Sequence, residues 1–276
     1  MTRPLDDAVL PAYRLEFPDG VDGLRAVPDP GHPFYFDHPL GHLPGLLLLD
    51  IATAAVERAA APHGAEGLWF DRFEVTFRAL AALHTPLDIR VTEEGPDGSH
   101  RCILSQRGKT CAEFAGHGTV RQPDTGGAPV AGTPFIPVPL AAVRKLRPEN
   151  VFLGEPRDGE HHPLAAAGRG ASALAAAHGG FYRPVYLAEC FLQLCRASRR
   201  EAGPKPGVIP ASREVLVRLG GHLPRPVPDT AALSIAFDEG DPVGFSLADP
   251  RSFRRTASIL SNNDPVCHFF CDVIQL

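Results

Sequence analysis

The densest set of side chains that could do chemistry lies in the segment 34–55, which reads FYFDHPLGHLPGLLLLDIATAA. His38 and His42 precede a Pro44-Gly45 turn, and Asp50 follows inside an apolar run. A carboxylate buried there would lose its hydration, which would raise its pKa and suit a general acid or base. The glycine would let a ligand approach backbone N–H groups at a helix start, where they could polarise a carbonyl group.

Each of these residues also has an explanation without chemistry. Asp50 could bond to a backbone N–H group or to a buried arginine and do nothing else. His38 could simply cap the turn in which it lies. The HxxxH spacing of His38 and His42 would suit a metal site on a helix, but Pro39 and Gly41 argue against a helix there. We therefore expect no metal and no cofactor, and the roles of these residues stay open.

A second candidate acid, Glu189, lies early in another apolar run. The burial argument applies to this carboxylate as it does to Asp50. The alternative is that Glu189 forms an ion pair with Arg183 or accepts a bond from a backbone donor, with no catalytic role. Tyr182 and Tyr186 are typical of packing residues that keep a hydroxyl group at the edge of the core.

Two helices are predicted to carry the acids. The first runs from residue 45 to about residue 61, and it is apolar on almost every side over three turns, which indicates a buried helix. The second follows Pro184 and ends before Gly203-Pro204. Alternation of apolar and polar residues predicts strands at 73–77, 87–92, 101–106, 110–120, 151–153, 214–219, 231–237, 242–247, 254–261 and 266–274.

The order of these elements indicates an α+β fold with two similar halves. Each half has one apolar helix and several strands that are too closely spaced for parallel crossovers. An antiparallel sheet wrapped around one long helix, the hotdog arrangement, would cover such a helix. The segment 122–139 is rich in glycine and proline and indicates a linker. We therefore predict a tandem double hotdog with modules at 1–125 and 141–276 and a linker at 126–140.

The composition of the chain argues against binding to nucleic acid and against a position in a membrane. The net charge is -5 and no block of Lys and Arg favours nucleic acid. No apolar run is long enough to cross a bilayer, and the first residues do not resemble a signal peptide, so we expect a cytoplasmic protein that does not bind membranes. The six cysteines form no CxxC pair and are predicted to be core residues. A homodimer is compatible with the sequence.

The segment around Asp50 resembles the A-factor biosynthesis (AfsA-type) hotdog family, whose signature is close to F-D-H-P-x-D-H-V-P-G-M-x-L-L-E-A. The matching residues here are Phe36 to Pro39, His42, Pro44, Gly45, Leu48, Leu49 and Asp50. The second half is similar to the other module of that family. Asn150-Val151-Phe152-Leu153 matches a strand motif, and Pro184 to Glu189 with Gln193 matches a helix start. The order of the two modules is swapped relative to typical members.

The resemblance implies an enzyme that uses a thioester of acyl carrier protein or coenzyme A in secondary metabolism. Typical members transfer a β-ketoacyl group to dihydroxyacetone phosphate. Glu189 keeps the family acid, whereas the first module has Asp50, so Glu189 is the better catalytic candidate. Two motif arginines are replaced by Thr53 and Leu192, which leaves Arg183 as a substitute phosphate ligand.

Other site residues follow from the same resemblance. Gly45, Gln193 and Tyr186 are implied substrate contacts. Hotdog dehydratases carry a similar motif, with Asp50 in register, and a dehydratase would have to pair His38 or His42 with Glu189. Three hypotheses result: acyl transfer, dehydration or hydrolysis of a thioester, and a non-catalytic double hotdog that binds an acyl chain or a partner.

Overall fold

The computed structural model describes residues 12–17, 23–37, 40–60, 68–93, 98–120, 135–156, 161–166, 177–178, 180–201, 214–238, 244–246 and 249–275. Its described residues form two α-helices, α1 (Gly45–Ala60) and α2 (Pro184–Glu201), and a short 3-10 helix at Pro148–Asn150. The strands of the N-terminal half are β1 (Tyr13–Glu16), β2 (Leu24–Pro28), β3 (Leu68–Phe77), β4 (Leu87–Glu93), β5 (Ser99–Gln106) and β6 (Lys109–Val120). Those of the C-terminal half are β7 (His162–Pro163), β8 (Ala177–His178), β9 (Phe181–Tyr182), β10 (Glu214–His222), β11 (Leu233–Phe237), β12 (Gly244–Ser246), β13 (Asp249–Ser261) and β14 (Asp264–Gln275).

Twelve of the strands form one antiparallel sheet that both halves share. The strand order is β1-β2-β4-β5-β6-β3-β10-β14-β13-β11-β7, with β12 added beside β13. The halves meet where β3 pairs with β10, for example Val75 with Leu219. The sheet and its antiparallel pairing confirm the prediction from strand spacing. Strands β8 and β9 form a separate pair.

The side chains of β3 show why the sheet has one covered face. Phe73 and Val75 are buried, whereas Arg72 and Glu74, which alternate with them along the strand, are not. Phe73 lies 6.4 Å from Phe114 of β6 and 6.2 Å from Phe269 of β14, measured between ring centroids. Because one aromatic ring contacts both halves, the two halves share a single apolar core.

Helix α1 lies in that core. Pro44 accepts the first backbone bonds from Leu47 and Leu48, and the helix then follows the boundaries that the sequence predicted to within one residue. Leu47, Leu49 and Ile51 are completely buried. A helix with consecutive buried residues must be covered on most sides, as the predicted hotdog arrangement requires. Among the described residues, no helix is long and apolar enough to cross a membrane.

One local prediction needs correction. The segment 151–153 was predicted as a strand, but among its residues only Leu153 forms a bridge, an isolated one to Leu164. Part of the predicted linker, 126–134, lies outside the described residues, so the linker stays a prediction. Its end packs against the C-terminal half, because Val138 is buried and its N–H group donates to the carbonyl of Leu153 over 3.0 Å. All six cysteines are buried thiols, which confirms that they are core residues.

Candidate functional site

Asp50 lies in the second turn of α1, where it contacts both halves of the protein. Its Oδ2 accepts a hydrogen bond from the hydroxyl of Tyr35 over 2.7 Å, and its Oδ1 accepts one from Nη2 of Arg183 in the C-terminal half. The hydroxyl of Tyr13 donates to the main-chain carbonyl of Asp50 over 3.1 Å. We call Asp50, Tyr35 and Arg183 the Asp50 site.

The charges of the Asp50 site depend on one another. Burial raises the pKa of Tyr35, and the carboxylate of Asp50 raises it further, so the phenol stays protonated and can donate. Burial lowers the pKa of Arg183, but Asp50 and the other acidic groups around it together outweigh this effect, and the pKa is raised overall. The side chain of Asp50 is only 6% exposed, whereas that of Arg183 is 27% exposed. Solvent therefore reaches the site on its arginine side.

Glu189 has a different environment in the second turn of α2. Its Oε1 lies 3.1 Å from Nζ of Lys145, and it accepts hydrogen bonds from Arg196 over 2.9 Å and Gln193 over 3.0 Å. The residue is 1% exposed. We call these four residues the Glu189 cluster. The expected ion pair with Arg183 is not formed, because Arg183 binds Asp50 instead.

The expectation that burial would raise the pKa is wrong for Glu189. Burial does act in that direction, but the charges of Arg196 and Lys145 and the bond from Gln193 overcome it and lower the pKa to about 2. A carboxylate with so low a pKa is a weak base and cannot act as an acid near neutral pH. This environment does not support Glu189 as the catalytic acid or base that the sequence favoured.

The hydrogen-bonding positions of the Gln193 side chain are all occupied by other groups of the protein. Its Oε1 accepts bonds from the N–H groups of Phe152 over 2.9 Å and Leu153 over 3.3 Å. Its Nε2 donates to the carbonyl of Asn150 over 2.8 Å and to Glu189. A side-chain amide has two donor and about two acceptor positions, so none is left for a substrate. The contacts therefore do not support the predicted role of Gln193 in substrate binding.

Tyr186 and Gly45 both lie against other side chains of the protein. Tyr186 is 1% exposed, donates its hydroxyl to the carbonyl of Ala165 and stacks on Tyr182. Gly45 is half-buried, and a Cβ atom there would lie 3.0 Å from the ring of Phe77, so a larger residue would have to displace this ring slightly. For both residues a structural role explains the contacts, and their predicted contact with substrate stays a prediction.

The two candidate histidines differ in what the structure describes. His38 lies outside the described residues. His42 is half-buried, and no hydrogen bond joins it to Asp50 or Glu189 among the described side chains. In the described part of the chain, no group of three or more His, Cys, Asp or Glu side chains could hold a metal ion. The predicted histidine–acid pair of a dehydratase thus has no support from described contacts.

Sequence reasoning missed Tyr35 and Lys145. Tyr35 lies in the motif segment, between Phe34 and Phe36, and its aromatic neighbours gave no sign of a polar role. Lys145 lies just after the predicted linker and is almost as buried as Glu189. A buried lysine requires an anion, but the sequence alone does not show which lysine is buried.

Comparison with known proteins identifies the fold. No protein-family model matches the sequence, and no curated protein matches it. A hot dog fold protein of unknown function from Alicyclobacillus acidocaldarius superposes with a TM-score of 0.50 at 13% identity, covering 100% of this chain and 99% of that chain. The chain has the hotdog fold.

Two further structures share this hotdog fold over nearly their full length. The tesB protein of Mycobacterium avium subspecies paratuberculosis superposes with a TM-score of 0.55 at 14% identity, covering 97% of this chain and 98% of that one. An acyl-ACP thioesterase from Bacteroides thetaiotaomicron gives a TM-score of 0.54 at 12% identity, covering 91% and 96%. Identities this low establish the shared fold, and the reaction has to be argued from the site.

Proposed function

We propose that this chain is a tandem double hotdog that hydrolyses an acyl thioester, with Asp50 as the catalytic carboxylate. The observation that carries the proposal is the pairing of Asp50 with Arg183 from the other half, at a position that solvent reaches. The structural relatives include a protein named as an acyl-ACP thioesterase, which is consistent with this substrate class. The modules would correspond to 1–125 and 141–276, as the sequence predicted.

The Asp50 site has the groups that thioester hydrolysis requires. Each carboxylate oxygen of Asp50 accepts one bond and keeps a lone pair for a water molecule. Asp50 would take a proton from that water as its oxygen forms a bond to the thioester carbon. Arg183 has five N–H donors, so those not bound to Asp50 could stabilise the carbonyl oxygen as it gains charge. The C–S bond then breaks, and the thiolate receives the proton from Asp50.

Dehydration is less well supported than hydrolysis. Removal of water from a β-hydroxyacyl group needs one group to take a proton and one to deliver a proton to the leaving hydroxyl. Glu189, with a pKa of about 2, cannot be that acid near neutral pH. Hydrolysis needs only Asp50 and a cation, and both are present at the Asp50 site.

Acyl transfer is the second candidate, and the motif from Phe36 to Asp50 favours it. In this reaction the hydroxyl group of an acceptor would replace water. Arg183 was the sequence-based candidate for a phosphate on that acceptor. Its ion pair with Asp50 occupies part of the guanidinium group, which weakens the case for a phosphorylated acceptor. AfsA-type membership and the swapped order of modules remain predictions from the motifs.

One experiment separates these reactions. The protein is incubated with saturated, β-ketoacyl and β-hydroxyacyl thioesters of acyl carrier protein and coenzyme A, with and without dihydroxyacetone phosphate, and intact masses are followed. Hydrolysis predicts loss of the acyl group without any acceptor. Loss that requires the acceptor would establish transfer instead, and loss of one water from the acyl group would establish dehydration. No change with any substrate would support a non-catalytic binding protein.

The Asp50→Asn variant tests whether the observed turnover depends on the Asp50 site. An exposed aspartate, Asp264, is available for a matched substitution. Asp264→Asn should leave turnover at the wild-type level, whereas Asp50→Asn should lower it about a thousandfold. Loss of turnover in both variants would show that the effect is not specific to the Asp50 site.

A further inference from the structure

We infer that the Glu189 cluster is a positioning device, which holds Tyr35 against Asp50 through a chain of contacts between the two halves. This inference rests on the proposed role of Asp50 as the catalytic carboxylate. It gives a function to the buried charges that the proposed reaction does not use. The contacts run from α2 to the segment 145–153, from there to the segment 33–37, and finally to Asp50.

The first step fixes the segment 145–153. Lys145 is held by its ion pair with Glu189, over 3.1 Å. Three backbone groups of the same segment, at Asn150, Phe152 and Leu153, bond to the side chain of Gln193 as described above. Both anchors lie one helical turn apart on α2, and Gln193 also bonds to Glu189. The segment thus takes its position from a helix as well as from its isolated backbone bridges.

The second step fixes the segment 33–37 of the N-terminal half. Nδ2 of Asn150 donates to the carbonyl of Pro33 over 3.0 Å, and the N–H group of Leu146 donates to Oδ2 of Asp37 over 3.0 Å. These two bonds hold the segment near each of its ends. They join residues more than one hundred positions apart in sequence, so they depend on the docking of the two halves.

Aromatic contacts hold the middle of the segment 33–37. Nζ of Lys145 lies 4.3 Å from the centroid of the Phe34 ring, and the ring of Phe152 stacks on Phe34 at 5.7 Å. Phe34 is 1% exposed, so it has little freedom to move. A cation over a buried ring is attracted to it more strongly than one over an exposed ring, because the charge is not screened by water.

The last step reaches the proposed catalytic group. Tyr35 follows Phe34 directly, and its hydroxyl bonds to Oδ2 of Asp50 over 2.7 Å. A shift of Phe34 would therefore move the phenol group of Tyr35, which orients the carboxylate of Asp50. Misplacement of a catalytic group by about 1 Å can cost on the order of a hundredfold in rate. Lys145 and Glu189 would then affect turnover without touching substrate.

A double-mutant cycle tests the inference. Lys145→Met removes the cation and keeps an apolar stem of similar length, and Tyr35→Phe removes the hydroxyl group that reaches Asp50. If Lys145 acts through Tyr35, Lys145→Met lowers kcat about tenfold in the wild-type background but less than about twofold in the Tyr35→Phe background. KM for the thioester should change less than kcat in both backgrounds. Equal losses of kcat in the two backgrounds would overturn the inference.

Amide hydrogen exchange does not require an active enzyme, so it tests this inference separately from the proposed reaction. Lys145→Met and Phe34→Leu should each speed amide hydrogen exchange in the segment 33–37 at least about tenfold, because opening of this segment becomes easier. Lys109→Met, at an exposed lysine, is the matched control and should change neither exchange nor kcat. Unchanged exchange in both test variants would overturn the positioning role. An inactive wild-type protein with faster exchange in the variants would overturn only the proposed reaction.

Discussion

Replacing Glu189 with glutamine should make the protein less stable in a way that depends on pH. Burial raises the pKa of Glu189, but Arg196 and Lys145 overcome it and lower the pKa from an ordinary 4.5 to about 2. Because the folded pKa is the lower one, this carboxylate stabilises the fold above pH 4.5, and the stabilisation is lost as the pH falls toward 2. The difference between the two pKa values corresponds to about 3 kcal/mol.

The assay is urea unfolding of the wild type and Glu189→Gln at several pH values between 7 and 2. At pH 7 the variant leaves the buried Lys145 and the half-buried Arg196 without their anion and should lose about 3 kcal/mol of unfolding free energy. Near pH 2 the carboxyl group is about half protonated in the folded wild type and almost fully protonated in the unfolded one, so the difference between the proteins should shrink by most of that amount. Glu155→Gln, at an exposed glutamate, should show no such trend. A difference between wild type and Glu189→Gln that stays constant with pH would refute the electrostatic reasoning.

Three further predictions concern single side chains. Tyr35→Phe should lower kcat about tenfold by freeing the carboxylate of Asp50, whereas Tyr182→Phe, which also removes a buried phenol hydroxyl, should not; equal losses in steady-state assays would contradict this. Arg183→Met should lower kcat/KM about a hundredfold, and a variant that keeps full kcat/KM would exclude the arginine from carbonyl stabilisation. Gln193→Met should cost about 3 kcal/mol in urea unfolding, because three backbone groups lose their partner, while KM changes less than about twofold. A raised KM in a stable Gln193→Met protein would instead restore the sequence-based role in substrate binding.

The fold was largely predictable because it depends on local pattern. The apolar run after Pro44 predicted a buried helix, and α1 ends within one residue of the predicted position. The predicted strands at 101–106 and 110–120 leave room for a short turn between them, and there Arg107 and Gly108 have the positive φ angles, 51° and 76°, that a two-residue hairpin favours. These features follow from residue type and spacing, so no knowledge of distant contacts was needed.

The partners of the two acids were not predictable in the same way. The sequence correctly selected Asp50 and Glu189 as buried carboxylates, since an acid in an apolar helix needs a partner. The cation that Asp50 binds depends on how the two halves dock. Arg183 is only six residues from Glu189 but binds Asp50, which is 133 residues away. Glu189 instead binds Lys145 and Arg196 of its own half, which lower its pKa and so reverse the order in which the two acids are proposed for catalysis.

The most direct test of the central claim is a comparison of Asp50→Asn with Glu189→Gln under conditions where both proteins are folded. Turnover of an acyl thioester is measured by release of the free thiol at neutral pH, and circular dichroism confirms the fold. We expect Asp50→Asn to lower kcat about a thousandfold, which is within the range for loss of a general base. Glu189→Gln should lower kcat no more than about tenfold, because Glu189 only helps to position Tyr35. The reverse result, an active Asp50→Asn protein and an inactive but folded Glu189→Gln protein, would contradict the assignment of Asp50 as the catalytic carboxylate.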